Sequence, residues 1–266
     1  MRSAGFIPSE EEGILRCCKK TCPLVATALN GIIAGRNSDL VLRGLESSHT
    51  SLHVTRVAWD GRGNLLEYAS LAHLDAGEVT RTHSCDPDLV ALVAYDTGFA
   101  MLSATGRVWT WGDERYSACL GRDVDDACPA NMPCEVTDLS DLPTGPVTKL
   151  AAGGYILAAI TEGHDLYVWG GHPGRAAIME GMGGQPSPVV IGEHDVMDVG
   201  IGDSHMIALT DDNQVYIIGQ NSNGQLGLDV KETSTWTKVE LEHPERRHIT
   251  RVAAGPKNSF IIAQDQ

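Results

Sequence analysis

Apolar runs of strand length recur along the second half of the chain, and polar turn residues separate them. In the first clear unit, such runs cover residues 89–95, 99–103 and 106–112. Short apolar runs joined by turns are typical of antiparallel strands. The pattern predicts an all-β protein in which helix is confined to short turns within loops.

The unit is repeated, and the repeat predicts the architecture. Residues 53–58, for example, nearly repeat residues 248–253. The repeats start near 14, 54, 89, 147, 196 and 249. This spacing is typical of the blades of a β-propeller, in which each repeat forms one small sheet. We therefore expect a single propeller over residues 1–266, with four-stranded blades.

The two ends of the chain bear on how many blades there are. Residues 249–266 supply only the start of a repeat, and residues 1–13 precede the first recognisable one. An open propeller would leave sheet edges unpaired, so we expect these two segments to share one blade. Five full repeats and this split blade predict about six blades, within a range of about five to seven.

The motifs inside the repeats resemble a known family. Residues 219–228 read Gly-Gln-Asn-Ser-Asn-Gly-Gln-Leu-Gly-Leu, and residues 111–121 are a variant with Ser-Ala-Cys in place of Gly-Gln. Ala-Ala-Gly at 151–153 and Gly-Asp-Ser-His at 202–205 belong to the same pattern. Together they resemble regulator-of-chromosome-condensation repeats, strongly over 89–266 and faintly over 1–88. The resemblance implies a propeller that binds other proteins.

The resemblance leaves several functions open. A small, acidic, stand-alone propeller with eroded repeats is most similar to the alpha-tubulin-suppressor type. That similarity implies an accessory subunit linked to Elongator-dependent tRNA modification and diphthamide synthesis, with a small zinc protein as partner. The alternative is a guanine-nucleotide exchange factor for a small GTPase, although the protruding loop that such factors use is not recognisable in this sequence. An inhibitor of an enzyme, as in the bacterial members, is a third possibility.

Charge narrows the choice of partner. The chain has 35 acidic and 20 basic residues and a net charge of −15. An acidic surface repels phosphate backbones, so we expect no nucleic-acid binding and a protein partner with a basic patch. No apolar run approaches the roughly 20 residues of a membrane-spanning helix, and the first residues lack the apolar core of a signal peptide. We therefore expect no membrane contact and a location in the cytoplasm, with the nucleus as a second location.

The sequence offers several weak candidates for chemistry, and we expect none of them to be a site. Cysteines at 17, 18 and 22 could in principle hold a metal, but no CxxC pair occurs, and reduced thiols are the simpler interpretation for all seven cysteines. Residues 123–126 lack the glycine and glutamate of a calcium loop. They lie in an irregular insert, and a deletion within 122–140 is expected to be tolerated.

The remaining candidates also have structural interpretations. His205 lacks a recognisable nucleophile or acid partner in the sequence, which favours a structural role. Trp111 and Trp169 close equivalent strands and are expected to fill the space between adjacent sheets. We therefore predict no catalytic, cofactor-binding or metal-binding residues, no cofactor and no enzymatic activity.

Overall fold

The computed structural model describes residues 16–17, 26–27, 33–36, 40–41, 56–60, 63–86, 88–241 and 247–265. Its strands are β1 (Arg16–Cys17), β2 (Ala26–Thr27), β3 (Ile33–Arg36), β4 (Leu40–Val41), β5 (Arg56–Trp59), β6 (Asn64–Tyr68), β7 (Arg81–Ser84), β8 (Leu89–Tyr95), β9 (Gly98–Ser103), β10 (Val108–Gly112), β11 (Cys134–Glu135), β12 (Val147–Gly153), β13 (Ile156–Thr161), β14 (Leu166–Gly170), β15 (Ser187–Val189), β16 (Val196–Ile201), β17 (His205–Thr210), β18 (Val215–Gln220), β19 (Glu232–Lys238), β20 (Arg247–Gly255) and β21 (Asn258–Asp265). The helical segments among these residues are α1 (Leu71–Ala76) and the 3-10 turns Glu114–Leu120 and Thr137–Leu139. The predicted all-β class, with helix in short loop turns, is confirmed.

The strands form separate small sheets, as blades do. Three antiparallel sheets have four strands each, in the orders β8-β9-β10-β11, β12-β13-β14-β15 and β16-β17-β18-β19. The strands of each sheet neighbour one another in chain order. Tight turns join the first three strands, and a longer loop leads to the fourth. β20 and β21 form a two-stranded sheet, and β2-β3-β5-β6-β7 form a five-stranded one. The four-stranded propeller blades expected from the repeats are confirmed.

The three complete sheets are alike in detail because their sequences are. All residues of the second strands β9, β13 and β17 are buried, since each is flanked in its sheet and covered on both faces. The first strands β8, β12, β16 and β20 each carry an irregularity near their start, at Leu89, Val147, Val196 and Ile249. The repeat in sequence is therefore a repeat of register as well.

The core lies between neighbouring sheets. Trp111, which is 2% exposed, packs with Val57 and Leu65 of the preceding sheet. Trp169, which is fully buried, packs with Tyr95 and other residues of the sheet before its own. The indole N–H of Trp169 also donates to the carbonyl oxygen of Cys119 at 3.2 Å. The expectation that these rings fill the space between sheets is confirmed.

A buried carboxylate ties three consecutive first strands together. Asp198 on β16 accepts hydrogen bonds from the backbone N–H groups of Val199 at 2.8 Å and Val252 at 2.9 Å. It also forms an ion pair with Lys149 of β12. A buried carboxylate is stable in the core when it is paired and hydrogen-bonded, as here. The contact joins the last hairpin to the complete blades.

The segment 122–140 is part of its blade, so the expectation that it can be shortened freely is wrong. It contains β11, the fourth strand of the blade, and the buried Leu139. The guanidinium of Arg122 is buried and donates to four carbonyl oxygens of this segment, with that of Cys128 nearest at 2.8 Å, and to the carbonyl oxygen of Thr110 on β10. A buried guanidinium that satisfies several carbonyls fixes the loop around it.

The expectation of reduced thiols holds for some of the cysteines. Cys85 and Cys119 are free, whereas Cys128 and Cys134 form a disulfide within the segment 122–140. The sequence did not reveal this pair because six positions separate the two cysteines and only the loop brings them together. The cysteines at 17, 18 and 22 lie outside the residues whose side chains are described. Residues 1–13 are also outside the described residues, so their sharing of a blade with 249–266 stays a prediction.

Candidate protein-interaction surfaces

The loops at one end of the strands form a continuous surface, which we call the acidic face. It consists of residues 86, 88, 104–106, 141–146, 162–165, 192–195 and 211–213. Backbone hydrogen bonds link these loops within a blade, for example from the Glu162 N–H to the Pro146 carbonyl at 2.8 Å. Between neighbouring blades, the N–H of Val196 donates to the His164 carbonyl at 3.1 Å. The side chain of Asn213 extends the links by accepting from the Ile249 N–H at 2.8 Å. The loops therefore hold their charges in fixed relative positions.

The acidic face concentrates negative charge. Its exposed carboxylates are those of Asp88, Asp141, Glu162, Glu193, Asp195, Asp211 and Asp212. Arg107 lies at its edge, and its guanidinium pairs with Glu135. Fixed charges of one sign create a field that attracts an oppositely charged partner over distances up to the Debye length of about 8–10 Å.

One group on this face has the residue types of a metal site. His194 lies between two carboxylates, with Nδ1 3.3 Å from Asp211 and Nε2 3.4 Å from Asp212. The carboxylates are exposed and the imidazole is half-buried. Because the histidine already contacts both carboxylates, the arrangement is explained by hydrogen bonding within the surface and needs no metal.

The opposite end of the strands carries a cluster of rings, which we call the aromatic patch. Tyr116, Tyr155 and His172 contact one another, with ring centroids 4.7–5.4 Å apart. Arg175 lies over Tyr155 at 5.5 Å and Arg115 lies over Tyr116 at 5.8 Å. Tyrosine and arginine are enriched among the residues that dominate binding energy at protein interfaces.

Comparison of the repeats shows that tyrosine is not a general feature of this position. Tyr155 occupies the turn between the first two strands of its blade, where the other blades have Thr97, Ser204 and Lys257. Its ring packs partly against the core between the sheets, and its accessible part makes the patch a candidate binding surface. Comparing the turns of the repeats could have identified it from the sequence.

A carboxyl group with a shifted pKa borders the aromatic patch. Burial and the charge of Asp203 raise the pKa of Asp96 to about 6, while Arg175 acts in the opposite direction. Asp96 lies in the turn before β9, and its backbone N–H donates to the Gly154 carbonyl at 2.8 Å. Its side chain is held among neighbouring turns, which is a structural cause for the shift.

The histidine singled out in the sequence has a structural environment. His205 is fully buried, and its Nε2 lies 3.0 Å from the hydroxyl oxygen of Ser259. Burial lowers its pKa, which favours the neutral ring. A second buried histidine, His83, lies 3.0 Å from Glu67, which also accepts the indole N–H of Trp111 at 3.1 Å. These contacts join strands within the core, and none is open to a substrate.

No helix among the described residues is long and apolar enough to cross a membrane.

Comparison with family models identifies the repeats. The regulator of chromosome condensation (RCC1) repeat matches residues 197–225 and 212–262. Human E3 ubiquitin-protein ligase HERC2 is 27% identical over 256 residues, which cover 90% of this chain and 5% of HERC2. Guanine nucleotide exchange factor SRM1 of Saccharomyces cerevisiae is 29% identical over 66% of this chain and 38% of its own length. The chain thus spans less than half the length of these relatives.

Comparison with solved structures identifies the fold. The crystal structure of Prp20p from Saccharomyces cerevisiae superposes with a TM-score of 0.58 and 21% identity, over 77% of this chain and 48% of Prp20p. Human WBSCR16 gives a TM-score of 0.58 and 18% identity, over 84% of this chain and 60% of its own. Matched repeats and similar folds lead to the same conclusion: this chain is an RCC1-like repeat β-propeller.

Proposed function

We propose that this chain is a non-catalytic protein-interaction module whose acidic face binds a basic patch on a partner protein. The observation that carries the proposal is the acidic face itself, with seven exposed carboxylates on loops that are hydrogen-bonded to one another. Complementary charge of this kind speeds association and selects against partners of the same charge. The relatives support a role in protein interaction, since Prp20p of Saccharomyces cerevisiae binds Gsp1p and histones.

The finer form of the proposal is an accessory subunit linked to tRNA modification and diphthamide synthesis. Its support is the resemblance to the alpha-tubulin-suppressor type, which implies a small zinc protein as the partner. In this form the protein acts in the cytoplasm, with the nucleus as a second location, and binds no nucleic acid. Recovery of a small zinc protein or of Elongator subunits with the tagged chain from its native cell would support this form.

The second candidate function is guanine-nucleotide exchange on a small GTPase. It is favoured by the similarity to the exchange factor SRM1 over two-thirds of this chain. The measurement is release of a fluorescent GDP analogue from purified small GTPases in the presence of this chain. Faster release would favour exchange, and an unchanged rate across the GTPases of the native cell would favour a binding module.

The acidic face is tested by neutralising it against a matched control. One variant carries Glu162→Gln, Asp195→Asn, Asp211→Asn and Asp212→Asn on the acidic face. The control carries Asp123→Asn, Asp126→Asn, Glu180→Gln and Asp229→Asn, four exposed carboxylates elsewhere on the surface. Both variants change the net charge by the same amount, so only the position of the charge differs.

The two variants should differ in partner binding. Partners recovered by affinity purification with the unaltered chain should be lost with the acidic-face variant and kept with the control. The association rate of a recovered partner should fall about tenfold for the acidic-face variant at low salt, and less at high salt. Equal behaviour of the two variants would contradict the proposed site.

A further inference from the structure

A disulfide closes the loop 128–134 at the outer edge of the blade β8-β9-β10-β11. Cys134 lies on the fourth strand β11, opposite Thr110 of β10, and Cys128 precedes it by six positions. A disulfide across so short a loop restricts the unfolded chain less than one across a long loop. The bond therefore adds comparatively little to the stability of the fold.

Hydrogen bonds hold the same loop in place independently of the disulfide. The buried guanidinium of Arg122 donates to the carbonyl oxygen of Cys128 at 2.8 Å, and to those of Pro129 and Met132 at 3.2 Å each. The carboxylate of Asp125 accepts from the backbone N–H of Cys128 at 2.7 Å. Hydrogen bonds that involve a charged group are stronger than those between neutral groups. The loop therefore keeps its average conformation when the S–S bond is broken.

Backbone hydrogen bonds also tie this region to β10. The N–H of Gly112 donates to the Ala130 carbonyl at 2.7 Å, and the N–H of Val136 donates to the Val108 carbonyl at 2.8 Å. Both cysteines are attached to this framework, so their sulfur atoms stay close together in the reduced protein. Two thiols held in this way re-form a disulfide readily, because the closing step is intramolecular. The bond can therefore open and close without unfolding the blade.

The two cysteines differ in their access to solvent. Cys128 is partly exposed, whereas Cys134 is buried with 9% exposure. A thiolate arriving from solvent therefore reaches the sulfur of Cys128, and the sulfur of Cys134 becomes the leaving group. Arg122 supplies a positive charge within this loop, where it binds the carbonyl oxygens. A positive charge nearby stabilises a thiolate, and a stable thiolate leaves more readily.

The free cysteines Cys85 and Cys119 have different surroundings. Burial is the main cause that raises the pKa of each thiol to about 11. Both therefore remain protonated at neutral pH, and a protonated thiol is a poor nucleophile. Among the cysteines whose side chains are described, the pair Cys128 and Cys134 is thus the one suited to thiol–disulfide exchange.

We infer that Cys128 and Cys134 form a redox-active site that exchanges with a small thiol of the glutathione type. A glutathione thiolate bonds to Cys128 Sγ and breaks the S–S bond, whose electron pair leaves on Cys134 Sγ. A second glutathione thiolate attacks the glutathione sulfur of this mixed disulfide and releases Cys128 as a thiolate. The two protein thiolates take up the two protons that glutathione lost. The protein disulfide and two glutathione thiols thus give two protein thiols and one glutathione disulfide.

The redox state of the pair sets the mobility of the loop 129–133. This loop links its blade to the preceding sheet, because Arg81 of β7 donates to the Asn131 carbonyl at 3.2 Å. It also presents Met132, which is 47% exposed. With the disulfide open, the loop loses a covalent restraint, and its amides open to solvent more often. The site is separate from the acidic face and does not depend on the proposed function.

Reduction and reoxidation of the full chain provide the first test. Millimolar reduced glutathione at neutral pH should open the pair while the protein stays folded, and glutathione disulfide should close it again. Alkylation of the free thiols and mass spectrometry of the peptides report the redox state, and circular dichroism reports the fold. A bond that glutathione opens only after the chain has unfolded would be a structural cross-link, and this result would overturn the inference.

A matched pair of variants tests which sulfur is attacked. Cys134→Ser retains only the partly exposed Cys128 of the pair, and Cys128→Ser retains only the buried Cys134. With glutathione disulfide, the Cys134→Ser variant should form the mixed disulfide at least about tenfold faster than the Cys128→Ser variant. Thermal unfolding verifies that both variants fold. Equal rates in the folded variants would contradict the attack on Cys128.

Hydrogen exchange tests the consequence for the loop. The amides of residues 130–132 should exchange about tenfold faster in the reduced full chain than in the oxidised one, because local opening is less restricted. The amides of β12 and β13 in the next blade are the internal control and should exchange equally in both states. Unchanged exchange in the loop would show that the redox state has no structural effect. Faster exchange throughout the chain would show that the bond stabilises the whole fold, and either result would overturn the inference.

Discussion

The loop after β10 and the loop after β18 come from the same motif of the repeat but have different surroundings. The first contains Cys119, Leu120 and Gly121 and packs on Trp169 of the next blade. The second contains Leu226 and Gly227 and borders a cavity of about 250 Å³. The comparison shows that the motif alone does not determine how its loop is packed. The packing of the loop after β10 also depends on the third strand of the following blade.

This dependence of loop packing on the next blade explains why the repeats tolerate so much sequence change. The loop after β10 has Ser-Ala-Cys where the loop after β18 has Asn-Gly-Gln, yet both keep leucine followed by glycine. Leu120 and Leu226 are both buried, at 0% and 1% exposure. The leucine anchors the loop in its own blade, and the glycine permits close approach of the next one.

The most severe way to break the comparison is to remove the Trp169 ring that packs on the first loop. Trp169→Ala should destabilise the protein by about 4 kcal/mol, because it removes a fully buried ring and leaves a cavity. Trp169→Phe retains most of the packing but loses the hydrogen bond to the Cys119 carbonyl, which should cost about 1 kcal/mol, and the smaller ring adds a further packing cost. Urea unfolding of the unaltered protein and the two variants measures both values. A small loss for Trp169→Ala would show that this ring does not hold the blades together.

A second test, with a smaller expected effect, compares substitutions at the two equivalent glycines, Gly121 and Gly227. Gly121→Ala should cost about 3 kcal/mol, because the new Cβ is forced against the indole in addition to the strain of a left-handed conformation. Gly227→Ala should cost only about 1 kcal/mol, since its φ of 63° is similar and its surroundings are open. Thermal unfolding of both variants under the same conditions gives the comparison. Equal losses would mean that contact with the indole of Trp169 does not set the cost at Gly121.

The smallest expected effect concerns the turn between β8 and β9, where the last hairpin has Pro256 in place of Asp96. Because the pKa of Asp96 is raised to about 6, the folded protein binds a proton that the unfolded chain releases near pH 4. The contribution of the protonated Asp96 carboxyl to the free energy of unfolding is therefore lost as the pH rises from about 4 to about 6. Above that range the charged carboxylate destabilises the folded protein.

Asp96→Asn removes this dependence on pH. The melting temperature of the variant relative to the unaltered protein should be higher at pH 7.5 than at pH 4.5, which differential scanning calorimetry at the two pH values can measure. The same relative melting temperature at both pH values would show that the Asp96 carboxyl is not destabilised by its surroundings.

Much of the fold could be predicted because strands and turns are local features. The apolar runs correspond to β8 to β10, β12 to β14 and β16 to β18, and the polar residues between them are turns. The fourth strands were less visible. β11 has two residues and β15 has three, and each lies at the end of a long irregular loop. Strands this short do not show a recognisable alternation of apolar and polar residues.

The candidate surfaces were less predictable than the fold. Net charge indicated a basic partner, but the acidic face requires carboxylates from separate loops to lie on one end of the blades. The aromatic patch combines Tyr116 and Tyr155, which lie far apart in the sequence and in neighbouring blades. Neither surface can be recognised in a single stretch of sequence, because each depends on how one blade packs on the next.

The sequence by itself determined the repeat, the first three strands of each complete blade and the large apolar residue and glycine that end the third strands. These features depend on alternation, turn chemistry and side-chain size, which act within a few residues of one another. Only the tertiary structure decided that Trp169 packs on the loop 119–121, which loops share a face and that Cys128 meets Cys134. Those outcomes depend on the packing of sheets against each other, where residues far apart in the chain compete for the same space.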